Sequence, residues 1–181
     1  MNQNKSLSKF DKNCLLKAID VSKETHKDGN FPIGAVLAFD NEIIDIAGNE
    51  RNKQKSWVTH AENLLIIKND KLIVEASKQN KVIKIYSTLE PCIQCLGAAV
   101  VNRVDQIFFI EKDPIGGACN LKPNTIGFWY KERWPEINYC PILKSQEGYF
   151  IKHLHDEVEK GILKVSPKMM RFIKSKVLNK N

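Results

Sequence analysis

Cys92-Ile93-Gln94-Cys95, directly behind Pro91, places two thiols three residues apart at the start of an apolar helical stretch. Residues at that spacing are neighbours on one helix face, so two sulfurs can grip one ion. The free N–H groups and positive end of a helix start favour thiolate, the form that binds zinc. Alone, the pair fits a redox dithiol or two buried thiols as well as a metal site. Thr59-His60-Ala61-Glu62 adds an imidazole suited to zinc and a carboxylate two residues on. Inside a helix such residues diverge by about 200 degrees, so only one is expected to reach the metal. His60 is the expected ligand, and Glu62 the expected proton carrier outside the ligand set, with water completing an open catalytic tetrahedron. Alone, a His-x-Glu reads as the start of a surface helix; together with Pro-Cys-x-x-Cys it supplies what the two sulfurs lack.

These residues need a scaffold, and the hydropathy pattern implies one. Leu15, Leu16, Ile19 and Val21 recur near helical spacing until Asp28-Gly29-Asn30 breaks the pattern. Ile33–Phe39 and Glu42–Ala47 are short apolar stretches joined by Asp40-Asn41, so they predict paired antiparallel strands. A helix is expected from Thr59 or His60, a buried strand over Lys81–Leu89, a helix opened by Pro91 through Val101 and a strand over Val104–Ile110. An irregular aromatic segment follows, then a strand over Tyr139–Leu143, a helix at about 148–160 and a basic helix over 167–178. Alternating strands and helices imply a three-layer α/β/α sandwich around a mostly parallel five-stranded sheet. No repeat or linker divides the sequence, so a single domain over 1–181 is expected, with its core at about 10–165.

With 43% hydrophobic and 27% charged residues, and only nine Gly and seven Pro in 181, collagen-like and bulk-disordered readings are excluded. The longest apolar runs fall far short of the roughly 20 residues of a membrane span, and the polar N-terminus carries no readable secretory signal, so a cytoplasmic location is expected. Five cysteines in a chain that needs no staples fit a reducing compartment better than a disulfide framework. The net charge of +7 would attract polyanions, although lysine-rich chains are basic without any such partner.

The paired motifs resemble the signature of the cytidine deaminase-like superfamily of zinc hydrolases, His-x-Glu followed by Pro-Cys-x-x-Cys, here with His60 32 positions before Cys92. The resemblance extends from about Phe31 to Asn120 and is nearest the branch holding tRNA adenosine deaminases and guanine deaminases. Phe31-Pro32-Ile33-Gly34-Ala35-Val36 resembles the first strand of that branch, Thr88-Leu89-Glu90-Pro91-Cys92 its zinc loop, and Gly116-Gly117-Ala118 its turn after the fourth strand. It implies hydrolytic deamination of a nucleobase or nucleoside, with zinc held by His60, Cys92 and Cys95. Water would attack the carbon bearing the amine, with Glu62 taking its proton and returning it to a ring nitrogen and the departing ammonia. It also implies a dimer, and a base hydrogen-bonded by Asn49, whose amide can both donate and accept.

The branch carries Pro-Thr-Ala before its His-Ala-Glu, whereas this chain has Trp57-Val58-Thr59. Trp57 could stack on a base or pack on the core or a dimer surface. Asp113 stands where family members place loop residues that touch substrate, and is otherwise a solvated aspartate. The aromatic run Phe128-Trp129-Tyr130 could close over a small ligand or pack under a long loop. A free base or nucleoside of purine type is therefore the expected substrate, with a tRNA wobble adenosine the alternative favoured by charge and by the basic tail. A non-catalytic zinc module binding nucleic acid is the reading from another class, and an intact Glu62 argues against it.

Overall fold

The structure, a computed structural model, describes residues 7–142, 148–161 and 163–178. They form two compact units, one through residue 142 and one from residue 148 on.

The first unit opens with helix α1 (Lys9–Lys27). Ser8 caps it and Asp11 closes a capping box, each satisfying an otherwise orphaned N–H group. Strands β1 (Gly34–Phe39) and β2 (Glu42–Gly48) form the expected hairpin, its turn carrying Asp40 at φ 52°. Short helix α2 (Arg51–Gln54) leads to α3 (Ala61–Lys68) and α4 (Asp70–Lys78). Strand β3 (Ile83–Leu89), helix α5 (Ile93–Val101) and strand β4 (Gln106–Glu111) follow. The aromatic segment holds helix α6 (Phe128–Lys131) and leads into β5 (Glu136–Tyr139).

The sheet order is β2-β1-β3-β4-β5. β1 runs antiparallel to both of its neighbours while β3, β4 and β5 pair in parallel, so four strands share one direction and β1 opposes them. Period-two alternation divides the strand side chains between two cores. Ala35, Leu37, Ile83, Ile85 and Ile107 join Leu65, Ile66, Leu96 and Val100 of α3 and α5 on one face. Val36, Ala38, Tyr86 and Phe108 join Cys14, Leu15, Ala18 and Ile19 of α1 on the other. Gly34 admits α1 to contact distance, since a Cβ there would lie 2.2 Å from the Ala18 carbonyl oxygen. Helices on both faces make the three layers.

Two boundaries differ from expectation. Pro91 lies two residues before α5 rather than at its first helical position, because Cys92 takes the N-cap with extended backbone, φ −72° and ψ 172°. The last strand was expected over 139–143; it ends at Tyr139, since the less apolar Glu136-Ile137-Asn138 still pairs with Gln106–Phe108. Leu143 lies outside the described residues.

The second unit holds α7 (Tyr149–Glu159) and α8 (Pro167–Leu178), close to the expected bounds. Ile151, Leu154 and Ile173 are buried, and Lys174 pairs with Glu159 at 3.0 Å.

Candidate active site

Two helix N-termini meet at the motif residues. His60 caps α3 with extended backbone, φ −72° and ψ 152°, and Cys92 caps α5. His60 Nδ1 lies 3.5 Å from each of the Cys92 and Cys95 sulfurs, which are 3.7 Å apart. Zinc bonds of about 2.3 Å to sulfur and about 2.05 Å to nitrogen, opened to a tetrahedral angle, require edges of about 3.6 and 3.8 Å. The three donors therefore already stand at zinc-site spacing, and their chemistry suits that ion.

Glu62, on the first turn of α3, is almost wholly buried. Because His60 is a cap rather than a helical residue, the 200-degree divergence expected from regular helix geometry does not apply. Glu62 and His60 both reach the cluster: Glu62 Oε2 lies 3.4 Å from Cys95 Sγ. The other oxygen, Oε1, accepts a 2.9 Å hydrogen bond from the Ser87 hydroxyl on β3.

The electrostatics follow from this packing. The hydrogen bond from Cys95, with further help from His60, pulls the Cys92 thiol down to about 4 against the effect of burial. Cys95 is pushed far up by giving that bond, by burial and by the Glu62 charge. A bound dication would favour the thiolate form of both sulfurs. The Cys92 hydrogen bond raises the His60 pKa, and desolvation raises that of Glu62.

The remaining expected residues lie outside this cluster. Asn49 is buried, its Oδ1 accepts the Arg51 N–H at 3.0 Å, and its NH2 group has no partner among the described residues. Trp57 is 74% exposed, which removes core packing as its role. Asp113 Oδ1 accepts the N–H groups of Ile115 and Gly116, so its carboxylate shapes its own loop. Phe128, Trp129 and Tyr130 are all exposed. Cavity volume does not mark the chemistry. A cavity of about 520 Å³, lined in part by Lys81, Arg103 and Trp134, lies at the amino ends of β3, β4 and β5, whereas the ligand cluster lies beyond the carboxyl end of β3.

Three further residues make contacts with the motif segments or the loop before them without having stood out in the sequence. Ser87 was legible only as a lone hydroxyl in an apolar strand. Glu90 accepts the N–H groups of Cys119 at 3.0 Å and Asp113 at 3.2 Å, tying the metal loop to residues 113–119. A carboxylate directly before Pro-Cys in a buried strand was its signal. Arg51 stacks on Trp57, with its guanidinium carbon 3.7 Å from the ring centroid, and nothing distinguished it among the other basic residues.

Comparison with known proteins agrees with this geometry. Residues 8–111 match the cytidine and deoxycytidylate deaminase zinc-binding region. The chain is 36% identical to a tRNA-specific adenosine deaminase of Bacillus subtilis over 112 residues, covering 62% of this chain and 68% of the relative. It is 32% identical to one of Aquifex aeolicus over 149 residues, covering 80% and 95%. A solved structure from work on A-to-I editing by tRNA:A34 deaminases superposes with a TM-score of 0.58 at 25% identity, covering 71% of this chain and 98% of that one. The chain belongs to the cytidine and deoxycytidylate deaminase zinc-binding family, and is a hydrolytic deaminase of nucleobase or nucleoside amines.

Proposed function

We propose that the chain deaminates adenosine in RNA, with tRNA as the substrate and zinc held by His60, Cys92 and Cys95. The observation that carries the chemistry is the 3.5, 3.5 and 3.7 Å triangle of donors with Glu62 beside it. The relatives of at least 32% identity named above, each a tRNA-specific adenosine deaminase, support the substrate, as does the net charge of +7.

A bound zinc ion supplies a Lewis acid that makes water acidic enough to attack at neutral pH. Ser87 holds one oxygen of Glu62, which leaves the other facing the cluster to accept the proton of the attacking water. Burial makes that carboxylate a stronger base than an exposed one, and the same group returns protons to a ring nitrogen and to the departing amine. Water and the amine become a carbonyl and ammonia, so the adenine ring becomes hypoxanthine. The unpartnered NH2 of Asn49 is suited to donate to a base acceptor and fix the ring.

A second reading, a free purine base or nucleoside, is favoured by Trp57-Val58-Thr59 standing where the branch has Pro-Thr-Ala. Ammonia release, screened over guanine, adenine, cytosine, their nucleosides and a tRNA anticodon stem-loop, separates the two. A kcat/KM on the stem-loop far above that on any nucleoside supports tRNA, and a free base or nucleoside turned over as well as the stem-loop overturns it.

The family resemblance also supports a homodimer, and α5 offers exposed Ile93 and Val101 for one. Among the described residues no helix is long and apolar enough to cross a membrane. Free, buried Cys14, Cys119 and Cys140 fit a reducing cytoplasm.

A further inference from the structure

Between Asn49 and His60 the chain makes a closed loop, with the Glu50 N–H donating to the Thr59 carbonyl at 3.0 Å. Arg51 therefore stands beside the residue that precedes the metal ligand. Its guanidinium lies over the Trp57 ring at 3.7 Å and near the Phe31 ring at 5.2 Å. No carboxylate pairs with it among the described residues, and none of its side-chain N–H groups has an acceptor there. The group is partly withdrawn from water, which lowers its pKa.

The loop that carries the indole is fixed on both sides of it. Thr59 Oγ1 donates to the Ser56 carbonyl at 3.2 Å, and Asn63 Nδ2 donates to the Val58 carbonyl at 3.1 Å. Trp57 is held in place yet 74% exposed. Stacking occupies a face of a guanidinium and leaves its N–H edge available, the geometry that suits bidentate contact with phosphate. An exposed indole beside a cation offers a surface for a base, and stacking plus positive charge is how single-stranded nucleic acid is held.

We propose that Arg51 and Trp57 form a subsite for the nucleotide adjoining the target adenosine in the RNA strand, the indole stacking on its base and the guanidinium taking its phosphate. This rests on the RNA reading above. A free base has no neighbouring nucleotide and would leave the subsite unused.

The test compares an RNA stem-loop carrying the target adenosine with adenosine as the nucleoside, in wild type, Trp57→Ala, Trp57→Phe, Arg51→Ala and Arg51→Lys. The ratio of kcat/KM for stem-loop over nucleoside is expected to fall about five- to a hundredfold in Trp57→Ala and Arg51→Ala, mostly through KM. Trp57→Phe should keep most of it, because phenyl also stacks. Arg51→Lys should keep less, since an ammonium lacks the planar fork. A stem-loop with an abasic site next to the target should be a worse substrate for wild type, with no further loss in Trp57→Ala.

Tryptophan fluorescence of the wild type, titrated with the intact stem-loop, supplies an arm independent of turnover. Quenching that disappears in Trp57→Phe supports the subsite. An unchanged ratio in both alanine variants overturns the proposal, as does loss of dimer in Trp57→Ala, which would make the indole a partner contact. If the wild type turns over neither substrate, the proposed function fails, and the titration still decides whether the subsite binds RNA.

Discussion

Gly117 sits directly against Glu90: a Cβ at residue 117 would lie 2.5 Å from the carboxyl carbon and 2.6 Å from Oε2. The absent side chain lets the carboxylate reach the N–H groups of Asp113 and Cys119, while the Ala118 N–H bonds the Pro91 carbonyl at 2.9 Å. Glu90 thereby braces the loop that presents Cys92 and Cys95. Glu90→Gln keeps one acceptor and turns an NH2 group toward a buried N–H, which should cost about 1–3 kcal/mol. Zinc affinity, measured by chelator competition, should fall about ten- to a hundredfold. Gly117→Ala should act in the same direction by displacing the carboxylate. Wild-type melting and zinc affinity in Glu90→Gln would show that the brace is dispensable.

Glu62→Gln preserves the size of the side chain and a carbonyl that can still accept from Ser87. It removes the group that carries protons. Zinc content and melting temperature should stay near wild type while kcat drops about 10²- to 10⁴-fold. Metal analysis of the purified variant checks the assignment, because a loss of zinc would make Glu62 a ligand.

The site motifs were legible because their residue types are rare and their spacing is constrained by helix starts: His60, Cys92 and Cys95 converge, and Glu62 stands beside them. The sheet was legible for a related reason. Strands such as Gly34–Phe39 are buried throughout and form uninterrupted apolar runs, whatever lies beside them. What could not be read was set by contacts between distant segments. Glu90 bonds residues more than twenty positions downstream, and Arg51 is distinguished from other cations only by the ring it meets. The β5 boundary failed similarly, since pairing with β4 selects Glu136–Tyr139 over more apolar neighbours.

The docking of α1 should show in acid. Asp11 accepts hydrogen bonds from Ser8 and from the buried Tyr86 hydroxyl at 2.6 Å, and lies 3.8 Å from the Lys84 ammonium. Burial alone would raise its pKa, but those partners outweigh it and hold the carboxyl below the ordinary value of 3.8. A depressed carboxylate stabilises the fold above its unfolded pKa, and that stability is lost as pH falls through the lower folded value. The melting temperature of the wild type should therefore decline below about pH 4 more steeply than that of Asp11→Asn. Parallel declines in the two proteins would place the acid sensitivity elsewhere.

Salt separates an RNA substrate from a free one. Each phosphate neutralised by Lys or Arg releases counterions, so about four such phosphates should lower kcat/KM on the stem-loop roughly a hundredfold between 50 and 200 mM salt. Free adenosine carries no phosphate, and its turnover should change by less than about threefold over that range. The basic helix α8 is a natural source of the cations: Lys168, Arg171 and Lys176 form no ion pair among the described residues, whereas Lys174 is taken by Glu159. Replacing those three with Gln should flatten the salt slope by about one unit for each phosphate no longer neutralised, while leaving the rate on adenosine intact. Should the triple variant keep the wild-type slope, α8 is a solvated face and the phosphates are held by the first unit. A wild-type slope near zero on the stem-loop would instead remove RNA as the substrate.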